Sequence, residues 1–157
     1  MLFDSELSRD DFFMGVALDQ ARLASSLFEV PVGAVLVHGD VVVASAFNQT
    51  LTLSDPSAHA EMLVLRQACS LFENHRLPQT ELFVTLEPCA MCAGALLHAR
   101  VRRLVFGAFD KKTGVAGGVL SLFQQPLLNH QTHVRGGVRA SESRYLLVDF
   151  FNSKRGK

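Results

Sequence analysis

The sequence predicts an α/β fold, a three-layer α/β/α sandwich on a mixed sheet of about five strands. Segments with strand character alternate with segments of helical character along the chain. Two of the strand segments, ELFVTL and RLVFGA, are mostly apolar, which is typical of strands that helices cover on both faces. A hairpin pattern nearer the N-terminus supplies an antiparallel edge.

The N-terminal part predicts one helix followed by the hairpin. In SRDDFFMGVALDQARLASS, Ser8 stands three residues before Asp11, a spacing that resembles a capping box. Apolar residues then recur at helical spacing, which predicts an amphipathic helix; they are Phe12, Val16, Leu23 and Leu27. The runs VGAVLV and VVVASAF meet at Gly39-Asp40, a turn signal between two strands. NQTLTLSDPS is then a loop.

The rest of the chain alternates between helix and strand. A second helix is predicted from about Ala58 to His75, followed by the strand ELFVTLE, the helix CAMCAGALLHA and the strand RRLVFGAF. DKKTGVAGG is predicted as a flexible loop, THVRGGV as a last strand and ASESRYLLVDFF as a last helix. No linker or repeat divides this series, so residues 1–157 are predicted to form a single domain of ordinary size.

The composition excludes several classes of protein. It is 48% hydrophobic and 19% charged, as in soluble globular proteins, and no run approaches the roughly 18 apolar residues of a membrane span. The acidic start MLFDSELSRDD is unlike a secretory signal. Three cysteines, an odd number, argue against a disulfide framework. We therefore predict a protein of the reducing cytoplasm.

Charge is distributed unevenly along the chain. Residues 1–99 contain 4 Lys/Arg and 12 Asp/Glu, a net charge of −8, whereas residues 100–157 contain 11 and 3, a net charge of +8. One explanation is a nucleic-acid or other anionic partner of the C-terminal part. The other is that the two halves attract each other within the fold. The sequence leaves both explanations open.

Metal-binding residue types occur at two predicted helix starts. HAE begins one helix with His59, and EPCAMC begins the next with Cys89 and Cys92. A Cys-x-x-Cys in a first turn brings both sulfurs to one side, where the helix amides favour thiolates. One histidine and two cysteines suit Zn²⁺, and three protein ligands leave a fourth position for water. We therefore predict one catalytic zinc ion per chain.

Glu61 lies beside this predicted site without being an obvious ligand. Zinc lowers the pKa of its water to about 7, which makes hydroxide available at neutral pH. A carboxylate at this position can take a proton from that water and deliver it to a substrate. Glu61 is therefore the predicted general acid and base.

The cysteines also allow two other interpretations. A structural zinc site would need a fourth protein ligand, and the candidates are Cys69, His75 and His98. A Cys-x-x-Cys could instead be a redox pair. The combination H-x-E…P-C-x-x-C is more specific than either and favours the catalytic site. Glu87, just before Pro88, is predicted to be a structural hydrogen-bond acceptor.

The same combination is the signature of zinc nucleobase deaminases. With TLEPCAMCAGALLHARVRRLVFGAFDKKTGVAGG, it makes the chain resemble the bacterial tRNA adenosine deaminases of the cytidine/deoxycytidylate deaminase superfamily. EVPVGAVLV, DPSAHAE, Asn129-His130 and the DFF that begins at Asp149 match as well, so the resemblance covers nearly the whole chain. It implies a cytidine deaminase-like fold and a homodimer.

The resemblance also implies the reaction and its participants. Adenosine at the wobble position of a tRNA anticodon stem-loop would become inosine by attack of zinc-bound hydroxide at C6, with Glu61 shuttling protons. Asn48 resembles the asparagine that contacts the base, and Asp110 is placed against RNA ribose. The remaining predicted substrate contacts are Ala60, Val30, Leu86, Lys112, Asn129 and Phe151.

Departures from the family concern the RNA-binding surface. Gln49, Thr50 and Leu53 stand where relatives often have basic residues or proline, Phe109 stands where arginine is frequent, and the tail FFNSKRGK is short. These changes predict weaker and less salt-dependent RNA binding than in relatives with a long basic tail. The predicted phosphate contacts are Lys111, Lys112, Arg100, Arg102, Arg103 and residues 154–157.

Two functions of other classes compete with tRNA deamination. The first is a deaminase of a small molecule, namely guanine, cytidine or a deoxynucleotide. The second is a non-catalytic zinc protein that binds RNA, which would have no need of Glu61.

Overall fold

The computed structural model describes residues 2–156, which form one five-stranded sheet between helices. The elements are α1 (Glu6–Ser26), β1 (Gly33–His38), β2 (Val41–Phe47), α2 (Ala60–Phe72), β3 (Thr80–Leu86), α3 (Ala90–His98), β4 (Arg103–Ala108), a 3₁₀ turn (Leu122–Gln124), β5 (His133–Arg135) and α4 (Ala140–Arg155). None of these helices has both the length and the apolar character that crossing a membrane requires.

The sheet is mixed, as predicted. Its strand order is β2-β1-β3-β4-β5. β1 pairs antiparallel with both β2 and β3, whereas β3, β4 and β5 run parallel. The predicted hairpin therefore forms the antiparallel side. The carboxyl ends of β3 and β4 meet at one end of the sheet, where ligand sites of α/β folds usually lie.

Helices cover both faces of this sheet, which confirms the predicted three-layer α/β/α arrangement. Because successive side chains of a strand point to opposite faces, each central strand contributes to two cores. Alternate residues pack against α1, including Val35, Phe83 and Val105. Their neighbours pack against α2 and α3, including Leu36, Leu82 and Leu104. α4 lies beside α1 and against β4.

The start of α1 differs from the prediction. The N-cap is Ser5, whose hydroxyl accepts a hydrogen bond from the Ser8 amide at 3.1 Å, while the Ser8 hydroxyl accepts one from the Ser5 amide at 3.1 Å. Ser8 is therefore the third residue of the helix and not its cap. The predicted capping box with Asp11 was wrong because Ser8 serves as the partner in an earlier box.

The buried face of α1 also differs from the prediction. Phe12 is 53% exposed and Phe13 only 1%, and Leu23 and Leu27 are exposed as well. The buried stripe is rich in alanine because the helix lies very close to β1. A Cβ on Gly33 would collide with the backbone carbonyl of Ala17. Of the four apolar residues that predicted the face, only Val16 packs against the core on this side of the sheet.

A network of ion pairs lies at the end of the sheet where β4 begins. Asp10 is fully buried and accepts hydrogen bonds from Arg103 at 2.7 Å and Arg135 at 2.6 Å. Glu81 accepts hydrogen bonds from Arg9 at 2.9 Å and from Arg102. Arg102 and Arg103 thus pair with acids of the N-terminal half. Attraction between the two halves accounts for this part of the charge asymmetry.

Replacing Asp10 with alanine should lower the stability of the folded protein by about 3–5 kcal/mol, because breaking a buried pair leaves an uncompensated charge. Arg103, which is largely buried, would lose its two shortest contacts. Urea unfolding of the zinc-loaded protein measures the change. Glu6→Ala is the matched control, since Glu6 pairs with the same Arg103 but is exposed and should contribute at most about 1 kcal/mol. Equal losses in the two variants would contradict the prediction.

Candidate active site and metal centre

The three predicted metal ligands all lie at helix starts. His59 is the N-cap of α2, Cys89 is the N-cap of α3, and Cys92 lies in the first turn of α3. Neither N-cap side chain makes a capping hydrogen bond, so both remain available for a ligand. α3 follows the carboxyl end of β3 directly, which brings the cysteines to the end of the sheet opposite the ion-pair network.

The distances between the three side chains fit a zinc ion. His59 Nδ1 lies 3.7 Å from Cys89 Sγ and 3.5 Å from Cys92 Sγ, and all three ligand atoms lie within 4.8 Å of one another. Nitrogen and sulfur ligands of a tetrahedral zinc, with Zn–N of about 2.0–2.1 Å and Zn–S of about 2.3 Å, stand about 3.5 Å apart. The predicted ligand set and cofactor are therefore consistent with the structure.

Among residues 2–156 this is the only such cluster, and it contains three residues. Cys69, His75 and His98, the candidates for a fourth ligand, are not part of it. A structural zinc site has four protein ligands, whereas a catalytic site has three and keeps an open position. The geometry therefore favours the catalytic type.

The cysteine thiols are already biased toward metal binding. The hydrogen bond from Cys92 lowers the pKa of Cys89 to about 4, with a further contribution from His59. The same hydrogen bond and burial raise the pKa of Cys92. Without a metal, the pair therefore favours a thiolate on Cys89, to which the Cys92 thiol donates. A bound dication deprotonates a coordinating thiol outright, so zinc would hold both sulfurs as thiolates.

Glu61 is buried beside the ligands. Its Oε2 lies 4.0 Å from His59 Nδ1, and the carboxylate is not a member of the ligand cluster. Burial raises the pKa of Glu61 to about 7. A group with such a pKa can both accept and donate a proton near neutral pH. The position and the pKa suit the predicted role in proton transfer.

A cavity of about 240 Å³ opens onto the ligands and Glu61. Four of the predicted substrate contacts line it together with His59, Glu61 and Cys89; they are Val30, Asn48, Leu86 and Asp110. The volume lies just below the roughly 300–1,000 Å³ typical of drug-sized ligands, which suits a single base. Val32, an apolar residue of the EVPVGA segment, also lines the cavity, as do Thr50 and Thr113, which no motif marks as substrate contacts.

Asn48 and Ala60 reach the cavity in different ways. Asn48 directly follows β2, and its backbone amide donates a hydrogen bond to the Val32 carbonyl at 3.0 Å. The side chain is nearly buried in the cavity wall. Ala60 is the first residue of α2, and its side chain is fully buried in the core. Any contact of Ala60 with a substrate would therefore come from its backbone.

A wider groove of about 690 Å³ continues from the cavity. Val30, Leu86, Asp110 and Thr113 line both spaces. Two more predicted substrate contacts, Lys112 and Phe151, line the groove. The other residues of its lining are Phe109, Lys111, Arg144 and Leu147. Basic and aromatic side chains side by side are typical of surfaces that bind single-stranded nucleic acid.

Comparison with known proteins identifies the family. The model for the cytidine and deoxycytidylate deaminase zinc-binding region matches residues 7–108. The tRNA-specific adenosine deaminase of Agrobacterium fabrum is 47% identical over 143 residues, which cover 91% of this chain and 94% of that protein. The chain belongs to the tRNA-specific adenosine deaminase family. The member from Haemophilus influenzae is 45% identical over 93% of this chain and 85% of that protein.

A solved structure gives the same result for this deaminase. It comes from a study of A-to-I editing by tRNA deaminases at the wobble position of transfer RNA. Its TM-score is 0.83 at 46% sequence identity, and the match covers 87% of this chain and 99% of that chain. The predicted family and the cytidine deaminase-like fold are therefore confirmed.

Glu87 organises one wall of the deaminase cavity. Its carboxylate is buried and accepts hydrogen bonds from the amides of Asp110 at 2.9 Å, Ala116 at 2.8 Å and Gly118 at 2.8 Å. The predicted role as a structural acceptor is confirmed. Because Glu87 precedes Pro88 and Cys89, it connects the metal-binding segment to the loop of residues 110–118.

Asp110 shapes the same loop of the deaminase. Its carboxylate accepts hydrogen bonds from the Lys112 amide at 2.9 Å and the Thr113 hydroxyl at 2.8 Å. Burial acts to raise the pKa of Asp110, but these hydrogen bonds prevail and lower it. The loop turn leaves Lys111 and Lys112 exposed, where they can meet phosphates.

Asn129 is the predicted contact that the structure does not bring to the cavity. It is exposed in the segment between the 3₁₀ turn and β5, and it lines neither the cavity nor the groove. Its neighbour His130 has its Nε2 at 2.8 Å from the Val101 carbonyl, which attaches the segment to the start of β4. A role of Asn129 in binding RNA stays a prediction.

The two phenylalanines of DFF have different environments. Phe150 is only 5% exposed, whereas Phe151 is 45% exposed and lines the groove. Arg144 and Leu147 line the groove from the same helix, seven and four residues before Phe151. That spacing marks one helix face, and it is the sequence signal by which Arg144 could have been found.

The predicted phosphate contact at position 157 lies outside the described residues.

Proposed function

We propose that this protein converts adenosine to inosine at the wobble position of a tRNA anticodon loop. The main support is one arrangement: a zinc-type triad and the buried Glu61 face a base-sized cavity that opens into a basic, aromatic groove. Relatives that share up to 47% of their residues over nearly their whole length are tRNA-specific adenosine deaminases.

The reaction consumes one water and releases one ammonia for each adenosine converted to inosine. His59, Cys89 and Cys92 would hold zinc, which supplies an activated water at neutral pH. Glu61 takes a proton from the attacking water, delivers one to ring nitrogen N1 and later passes a second to the C6 amino group, which leaves as ammonia. Its burial beside His59 keeps these transfers away from solvent.

The cavity walls hold the base for this attack. Asn48 offers an amide that can hydrogen-bond the purine ring, and Val30 and Leu86 contribute apolar surface. The target base must first leave its stack, which costs a few kcal/mol and costs least in a loop. An anticodon loop presents splayed bases, and the groove beside the cavity has room for the neighbouring nucleotides.

The two competing functions fit the site less well. A deaminase of free bases or nucleotides would use an enclosed pocket, whereas this cavity continues into the groove lined by Lys111, Lys112 and Arg144. A non-catalytic zinc protein that binds RNA would gain nothing from a carboxylate at position 61, because its burial raises the pKa to about 7 and is a cost that only proton transfer would justify.

One assay separates the three functions. Zinc-loaded protein is incubated with an anticodon stem-loop carrying adenosine at the wobble position, with guanine and with cytidine, and deaminated products are measured. We expect inosine in the stem-loop and no product from the two small molecules. Deamination of guanine or cytidine without inosine would favour the small-molecule enzyme. Binding of the stem-loop without any product would favour the non-catalytic protein.

Removing the loop lysines should reduce the salt dependence of stem-loop binding. Each phosphate contact with a single strand contributes about −0.7 to the slope of log affinity against log salt. Lys111→Ala/Lys112→Ala should therefore flatten the slope by up to about 1.4 if both side chains bind phosphate. Affinity is measured across a salt series. Arg102→Ala is the matched control, since Arg102 pairs with Glu81 at the opposite end of the sheet.

Phe109→Ala should change affinity in another way. Phe109 is 49% exposed in the groove and contacts Phe106 edge to face at 4.9 Å, so one of its faces can stack on a base. Stacking on an aromatic side chain contributes about 1–3 kcal/mol per base. The variant should bind more weakly at every salt concentration with the slope unchanged.

The lysine variant has a contradicting outcome of its own. If its affinity and salt slope equal those of wild type, Lys111 and Lys112 do not bind phosphate. The charge asymmetry would then be explained by contacts within the fold alone.

We also propose a cytoplasmic homodimer. All three cysteines are free thiols, as expected in a reducing compartment. The outer side of α3 exposes Met91 and leaves open space beside Gly94, so this short apolar helix offers a surface for a second copy. Sedimentation analysis of the zinc-loaded protein tests the dimer directly.

A further inference from the structure

Glu29 is a buried carboxylate that takes no part in the chemistry described above. It is completely inaccessible to solvent, although glutamate is almost never fully buried unless it is paired. Within residues 2–156 no Lys, Arg or His forms an ion pair with it. A buried charge without a counter-ion needs another reason to be there.

All hydrogen bonds of this carboxylate go to one residue. Oε1 accepts from the Thr52 amide at 2.6 Å and from the Thr52 hydroxyl at 3.1 Å. Oε2 is buried and has no hydrogen-bond partner, the only such side-chain atom among the described residues. Unpaired buried acceptors are rare because they lose their hydration without compensation. Among protein groups, the Glu29 carboxylate is therefore held only by the loop that contains Thr52, through one of its two oxygens.

That loop forms one wall of the substrate cavity. It leads from Asn48, through Thr50, to the metal ligand His59. It is compact in itself, since the Leu53 amide donates to the Gln49 carbonyl at 3.0 Å and the Asp55 amide to the Thr50 carbonyl at 3.1 Å. The start of the loop is held at Val32 by the Asn48 backbone amide at 3.0 Å, and the Glu29 carboxylate attaches its centre at Thr52.

The other side of the attachment is the segment just before β1, which also lines the cavity. Glu29 directly precedes Val30, which lines both the cavity and the groove. The Glu29 backbone is itself held in place, because its amide donates to the Ala24 carbonyl at the end of α1 at 3.0 Å. The carboxylate therefore joins the segment of Val30 to the loop of Asn48.

We propose that Glu29 is a positioning residue that sets the width of the substrate cavity between Val30 and the Asn48–Thr50 segment. This inference rests on the proposed function. Productive attack requires the base to be held closely against the reacting groups, and a misplacement of about 1 Å can lower the rate by about 10²-fold. The hydrogen bonds to Thr52 maintain that placement, and the unpaired oxygen is the consequence of aiming the carboxylate at the loop.

Two substitutions of similar size test the proposal. Glu29→Gln keeps a carbonyl oxygen that can accept from Thr52, whereas Glu29→Leu removes every acceptor and fills the space. We expect the single-turnover rate on the stem-loop to stay within about threefold of wild type for glutamine and to fall by at least tenfold for leucine. Stem-loop affinity and zinc content should change little in both, because the phosphate contacts and the ligands lie elsewhere.

Amide hydrogen exchange of residues 48–53 supplies a readout that does not depend on activity. Exchange should be faster in Glu29→Leu than in wild type and unchanged in Glu29→Gln. Thr52→Val, which removes only the hydroxyl hydrogen bond, should give an intermediate result. The melting temperature of Glu29→Leu should not fall, since the unpaired buried acceptor is gone; a residue with a merely structural role would lower it.

The outcomes separate this proposal from the proposed function. Wild-type protein that does not deaminate the stem-loop overturns the function, while the exchange data still decide on Glu29. Unchanged exchange in Glu29→Leu overturns the positioning role whatever the activity. Equal rate losses in the leucine and glutamine variants also overturn it, because the charge and not the acceptor would then matter.

Discussion

Glu61→Gln should retain zinc and the fold while turnover falls by about 10²–10⁴-fold or more, the usual range for one general acid or base. The upper end is expected because one carboxylate serves several successive proton transfers. Glutamine has nearly the same shape but cannot accept or release a proton at neutral pH. It also replaces a buried ionisable group by a neutral one, so the stability of the fold should not suffer.

Zinc content and the rate of inosine formation in the stem-loop are measured on the same preparation. The matched control is Glu73→Gln, which changes an exposed carboxylate at the far end of the same helix and should leave both quantities unchanged. In the Glu61 variant, the rate of inosine formation should fall while the zinc content stays at the wild-type level. A near-normal rate would contradict the proton-transfer role, and a loss of zinc would mean that Glu61 is itself a ligand.

The metal centre could be predicted because its signals are local. His59 and Cys89 are helix N-caps, and Cys92 follows within one turn, so sequence spacing already fixes which way two of the side chains can point. Because β1 pairs antiparallel with both β2 and β3, β2 and β3 end at the same end of the sheet, where α2 and α3 begin. The local motif and the strand topology indicate the same site, and a prediction is reliable when such independent signals agree.

The face of α1 could not be predicted because the contact depends on a residue far along the chain. The helix lies so close to Gly33 that small side chains fit best on the buried side, including Ala17 and Ala21. Phe13, Met14 and Leu18 fill the rest of the buried side, whereas Phe12 is left outside. A pattern of apolar residues reports the average tendency to be buried, and it does not contain the distance between a helix and its sheet.

The sequence also could not show which basic residues of the C-terminal part are paired within the fold and which are exposed. Arg103 and Lys112 lie only nine positions apart, yet the first is bound to Asp10 and Glu81 and the second is exposed in the groove. β4 carries the chain from one end of the sheet to the other between them. The internal explanation therefore holds where β4 begins, and a nucleic-acid partner stays a prediction for the lysines at the other end.

Cys89→Ala should lose zinc almost completely. Catalytic zinc sites have three protein ligands, and this variant would retain only His59 and Cys92. The other candidate ligands cannot substitute, because none of them belongs to the cluster within the described part of the chain. Cys89 also has the more acidic thiol of the pair, with a pKa of about 4, so its removal takes away the sulfur that is most readily a thiolate.

Metal analysis after dialysis against a weak chelator gives the zinc content per chain, with about one ion expected for wild type. Cys69→Ala is the matched control. Cys69 is the third free thiol, it lies on α2 outside the cluster, and burial raises its pKa, so it should remain protonated and contribute nothing to metal binding. Zinc retained in Cys89→Ala would contradict the ligand assignment. Zinc lost in Cys69→Ala would show that a third sulfur holds the metal as a fourth protein ligand and that the site is structural.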